Sequence, residues 1–145
     1  MNGVRLLGRC HCGNVSLSLE WAPAPAEIPA RACTCSFCAR HRNVWTSDPG
    51  ARLEVHVDDP ARVSKYTFGT RTADFYICAR CGVVPVATSR IEGDLYAVVN
   101  VNALERLDRA QLRRVTTDVE GEAMDARLAR RKRNWIAQVQ ITESR

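Results

Sequence analysis

Apolar and polar residues alternate along residues 14–21, with Val15, Leu17, Leu19 and Trp21 set against Asn14, Ser16, Ser18 and Glu20. A period of two sends the two sets to opposite faces, which predicts a half-buried strand. Asp48-Pro49-Gly50 is a turn signal, and after it Leu53, Val55 and Val57 alternate with Glu54 and His56 as another strand. Residues 63–68, 75–77 and 83–87 are shorter candidates. Residues 95–101 are unusually apolar and predict a central strand. Residues 22–30 hold three prolines and predict an extended surface connector.

Beyond Asn102 the texture changes. Residues 104–115 have helical spacing, and 122–139 look like a longer amphipathic helix. Strands followed by helical spacing predict a mainly β domain over residues 1–102, with a helical extension over 103–145 packed on the same domain. At 145 residues the chain is one domain by size, large enough to bury a core. A formal charge of +5 suits anionic small molecules or nucleic acid and does not choose between them. The first ten residues, MNGVRLLGRC, hold no long apolar run, and no apolar stretch is long enough to span a membrane. The expectation is a cytoplasmic protein with reduced cysteines and no membrane partner.

Seven cysteines change the picture. Cys10 and Cys12 form C-x-C, Cys33, Cys35 and Cys38 form C-x-C-x-x-C, and Cys78 and Cys81 form C-x-x-C. Ligands one to three residues apart on tight turns aim several sulfurs at one ion, so the spacing points to zinc. Cys10, Cys12, Cys78 and Cys81 make a complete tetrahedral set, with Gly13 and Gly82 directly after a ligand where knuckles need positive φ. Cys33, Cys35 and Cys38 are then left with a coordination position to spare. Zinc there would accept an incoming thiol and hold it as thiolate, a nucleophile toward a carbonyl. The competing reading is a second closed site with His41, three residues beyond Cys38, as fourth ligand.

Three segments together resemble a known family. Gly8-Arg9-Cys10-His11-Cys12-Gly13-Asn14-Val15, Cys33-Thr34-Cys35-Ser36-Phe37-Cys38 and Cys78-Ala79-Arg80-Cys81-Gly82 are similar in order and spacing to motifs of the glutathione-dependent formaldehyde-activating enzymes, a domain shared with centromere protein V. The resemblance covers roughly residues 3–102, and Arg133-Asn134-Trp135 looks like a tail found in part of the family. Thr34 stands where the family more often has histidine. The resemblance implies a β-tent fold of small antiparallel sheets meeting at zinc. It further implies a structural zinc on Cys10, Cys12, Cys78 and Cys81 and a catalytic zinc on Cys33, Cys35 and Cys38. The implied activity is that of a carbon–sulfur lyase, in which glutathione as co-substrate adds to formaldehyde to give S-(hydroxymethyl)glutathione. The alternative is a non-catalytic zinc module, a thiol carrier or a protein or nucleic-acid interaction domain.

Glutathione carries two carboxylates, so Arg31 and Arg40 (with Arg42 nearby) are candidates to bind it, with Ser36 as a hydrogen-bond donor. Arg71 and Asp74 are weaker candidates for the same pocket. His41, if not a ligand, is the nearest imidazole for proton transfer, and His56 reads as an exposed-face residue. Residues 127–133, RLARRKR, form the one dense basic run, and it reads as the solvated face of a helix rather than a nucleic-acid surface. Trp135 is expected to anchor the tail on the sheet or on a second copy of the chain, which leaves a homodimer open.

Overall fold

The alternation of residues 14–21 becomes strand β2 (Val15–Trp21), whose odd-numbered side chains are buried. A computed structural model describes residues 3–144. β1 (Val4–Arg9) and β5 (Arg52–Val57) flank β2, both antiparallel to it. A fourth strand, β11 (Gln138–Glu143), adds parallel to β5 and closes this sheet in the order β1-β2-β5-β11. Leu19, Leu53, Val15, Val55 and Val57 point inward and are fully or almost fully buried.

The second sheet has seven strands. It comprises β3 (Ile28–Cys33), β4 (Val44–Thr46), β6 (Val63–Tyr66), β7 (Asp74–Cys78), β8 (Val86–Ile91), β9 (Asp94–Asn100) and β10 (Leu112–Thr117), ordered β10-β3-β4-β9-β8-β7-β6. β9 is the nearly all-apolar segment, and its position explains that composition. Ala97 and Val99 join the core shared with the four-stranded sheet, while Tyr96 and Val98 face a second core on the opposite side. A strand covered on both faces has no solvent side to carry polar residues.

Two helices lie with the second core: α1 (Ser36–His41) and α2 (Met124–Asn134). Leu128 and Trp135 pack into that core, and Ile136 bridges antiparallel to Ala97. The tail is thus anchored on the sheet.

The chain departs from expectation in three places. Residues 28–30, read as connector, already belong to β3. Residues 104–115 are not a helix: one 3-10 turn, Arg109–Gln111, leads into β10, which pairs parallel with β3. Leu104, Leu107 and Leu112 are the helix-like apolar positions, and all three pack against a core from irregular or extended backbone. The predicted helix over 122–139 ends at Asn134, because Ile136 exchanges backbone hydrogen bonds with Ala97 and β11 follows. Residues after 102 therefore supply a strand to each sheet as well as a helix. Among the described residues, no helix is long and apolar enough to cross a membrane.

Candidate metal centre and its cavity

The two outer cysteine pairs fold into matching knuckles. Cys10 N–H bonds to Val15 O at 2.9 Å and Gly13 N–H to Cys10 O at 3.1 Å; Cys78 N–H bonds to Val83 O at 3.0 Å and Gly82 N–H to Cys78 O at 2.8 Å. Gly13 at φ 86° and Gly82 at φ 82° make both turns, a conformation that costs an L side chain energy. Within each knuckle a backbone N–H also points at sulfur, Val15 N to Cys10 Sγ at 3.3 Å and Cys81 N to Cys78 Sγ at 3.4 Å.

The knuckles come from different sheets, Cys10 just after β1 and Cys78 at the end of β7, and their sulfurs converge. Cys10 Sγ lies 3.8 Å from Cys12 Sγ, and Cys12 Sγ 3.5 Å from Cys78 Sγ. Thiolates about 2.3 Å from one tetrahedral zinc stand about 3.8 Å apart, so this set fits the ion. Burial pushes the Cys10 thiol up to about 12. Burial opposes ionisation at Cys81 too, but N–H groups of Val83 and Cys12 and the neighbouring thiols bring it down to about 6. Four cysteine sulfurs so arranged suit a soft cation.

Cys33, Cys35 and Cys38 form the second group. Cys33 ends β3, Cys35 caps the N-terminus of α1 by accepting from Cys38 N at 3.4 Å, and Cys38 sits inside that helix. Six residues suffice for the helix because both ends are fastened. At its C-terminus Arg42 takes the left-handed conformation at φ 57°, and Asn102 Nδ2 donates to Arg42 O at 2.9 Å. The sulfurs all lie within 4.8 Å of one another. Hydrogen bonds from the Cys33 and Cys38 thiols lower Cys35 to about 2, while Cys33 and Cys38 are raised by the same contacts. A cation placed among the three would favour the thiolate form of each. Trp45 Nε1 donates to Cys38 Sγ at 3.4 Å and orients it.

Among the described residues no histidine joins either sulfur group. His41 is exposed on α1, its ring 4.7 Å from that of Phe37. The triad thus offers three sulfurs, and all three line a cavity of about 390 Å³. Trp45, Phe68, Phe75 and Trp135 supply its apolar walls. Four sulfurs in the first group would leave a tetrahedral zinc no free position, and three in the second would leave one.

Arg31 lines this cavity and hydrogen-bonds through Nη2 to Ser47 Oγ. Ser36 and Arg40 lie on the exposed side of α1, where Arg40 Nη1 donates to Ser36 O at 2.9 Å, and they are not among the lining residues. Arg42, Arg71, Asp74 and His56 are not among them either, and His56 bonds to Thr142 and Ser144 beside β11.

The basic run corrects its expectation. Arg127, Arg130 and Arg131 of α2 line the cavity instead of a solvated face. Arg131 is 5% exposed, its Nη1 shared among Thr72 O, Thr72 Oγ1 and Ser89 Oγ, its guanidinium 5.0 Å from the centre of the Trp135 ring. Arg130 grips Glu122 through Nε and Nη2, and Arg127 Nη2 donates to Val119 O and Glu122 O. Burial, then the charges of Arg127 and Arg130, bring Arg131 down to about 10. Only Lys132, paired with Glu92, and Arg133 remain on the outer side of that run. Arginines recurring at 127, 130 and 131 share one helix face, which was the available signal.

A family model described as glutathione-dependent formaldehyde-activating enzyme matches residues 5–119. The chain belongs to that family. The glutathione-dependent formaldehyde-activating match includes all seven cysteines and stops short of α2. A crystal structure of a Rhodobacter sphaeroides protein is similar to this member: 32% identical, TM-score 0.52, with 72% of this chain and 92% of that one covered.

Proposed function

We propose that this family member is a zinc-dependent carbon–sulfur lyase that joins a small thiol, glutathione in the first instance, to formaldehyde or another small aldehyde. The observation that carries the reading is the contrast between the two sulfur groups. Cys10, Cys12, Cys78 and Cys81 close a half-buried site between the sheets, suited to a structural ion. Cys33, Cys35 and Cys38 hold three positions at the wall of a cavity, suited to a catalytic one. Zinc bound there supplies a positive charge that lowers the pKa of a thiol arriving at the fourth position.

The remaining work falls to the chain. Trp45 fixes Cys38 through its indole N–H. The aromatic walls exclude water, so sulfur meets a carbonyl carbon rather than competing solvent. In the reaction the S–H proton leaves, sulfur bonds to the carbonyl carbon, and the carbonyl oxygen takes up a proton. Atoms balance with no oxidant or reductant. Arg31 is the one thiol-binding candidate from sequence that reaches this cavity.

The adduct also forms unaided, so the test measures exchange between free and adducted formaldehyde by NMR against the uncatalysed background. Cys35→Ser, with the other six cysteines intact, is expected to return exchange to background. Wild-type exchange in that variant would sink the mechanism.

A further inference from the structure

Four guanidiniums line the cavity beside the sulfur triad: Arg31, Arg127, Arg130 and Arg131. They meet two carboxylates, Glu122 held by Arg130 and Glu120 exposed at the lining. An excess of two positive charges in a partly enclosed, aromatic-walled space is costly, because like charges repel and the walls withhold water. The strain appears in the groups themselves. Arg131 lies below its ordinary value through burial and the charges of Arg127 and Arg130.

Two donors also stand without partners. Arg131 Nε and Arg127 Nε are buried and have no hydrogen-bond acceptor among the described residues; Glu122 Oε1 is 4.0 Å from the latter, too far to serve. Buried guanidinium N–H groups are normally satisfied, so these two add to the cost of gathering the cations here. The arginines are held ready: Arg131 by Thr72, Ser89 and the Trp135 face, Arg31 through Ser47, whose Oγ donates to Asn134 O at the end of α2.

We propose that Arg31, Arg127, Arg130 and Arg131 form a carboxylate-binding subsite, so that the ligand admitted to this cavity is an organic acid with more than one carboxylate. The inference rests on the thiol-binding reading above for its choice of ligand. It goes beyond that reading in placing recognition on α2, which lies outside the residues matched to the family. Fork-shaped guanidiniums bind carboxylates through paired N–H donors, and two such groups match the charge excess. A thiol without carboxylates, such as cysteamine, leaves the arginines unpaired and binds poorly.

The test titrates zinc-loaded protein with S-methylglutathione, whose thiol is blocked, and with its dimethyl ester, following the fluorescence of Trp45 and Trp135. Cysteamine and glutathione are run alongside. The subsite predicts that the acid binds and that esterification weakens it at least about tenfold. Arg127→Gln and Arg130→Gln are each expected to weaken the acid about tenfold while leaving the ester unchanged. Ester binding as tight as the acid, or no binding of either, overturns the proposal without any variant having to fold. Should glutathione bind no tighter than S-methylglutathione while the ester stays weak, the carboxylate subsite stands and thiol capture at the triad fails.

Discussion

Asn100 makes four hydrogen bonds with one side chain. Its Oδ1 accepts from Val44 N and Asn102 N, and its Nδ2 donates to Asn43 Oδ1 and Val84 O. It is 3% exposed and ties the segment leaving α1 to β9, so it sets where Cys38 and Trp45 stand. Asn100→Ala is expected to destabilise the protein by about 3 kcal/mol, because the buried Val44 N–H and Val84 C=O each lose a hydrogen-bond partner there. Urea unfolding of the zinc-loaded protein measures this, and a change below about 1 kcal/mol would contradict the network's role. Cysteine spacing made the two sulfur groups readable residue by residue, since knuckles are local. Asn100 was not readable: its partners lie up to 57 residues away, and an asparagine after an apolar run reads as a turn.

The elements divide the same way. β2 and β5 were legible because one face is core and the other solvent, which writes a period of two. β10 was not, because it is an edge strand with most side chains exposed and its pairing with β3 spans the chain. β11 carries the alternation Val139, Ile141 inward against Gln138, Gln140 outward, yet Leu128, Trp135 and Val139 also satisfy helical spacing. Tertiary pairing with β5 decided the contest. α2 was found as a helix, and its basic run was misassigned because composition does not say which way a face turns.

The helix is fastened to the preceding loop by Glu122, whose carboxyl is lowered from 4.5 first by the Arg130 hydrogen bonds, then by the charges of Arg130, Arg127 and Arg131. A lowered carboxyl stabilises the fold above its ordinary pKa, and the gain is lost as pH falls through the folded value. The melting temperature of wild type should therefore exceed that of Glu122→Gln by a constant margin from pH 8 to pH 5, and the margin should close below pH 4.5. A margin independent of pH down to pH 3 would mean the ion pair is not what holds α2.

At the scale of the whole molecule, the four-cysteine group joins the four-stranded sheet to the seven-stranded one, while the triad serves the cavity on the other face. Loss of the two groups should have different consequences. Cys78→Ser is expected to lose one zinc per chain and about 10 °C or more of melting temperature, since metal affinity there is folding energy. Cys35→Ser is expected to melt within a few degrees of wild type. Equal damage from both would erase the division of labour between the sites.

In the proposed enzyme the triad holds its ion with one position free for a thiol. Cobalt in place of zinc reports this directly, because each thiolate ligand adds charge-transfer intensity. On titration with glutathione, the bands should grow by one ligand's worth and saturate at one equivalent per triad. Bands that do not change would show the second site to be closed, or blind to this thiol, and would contradict an open zinc position at Cys33, Cys35 and Cys38.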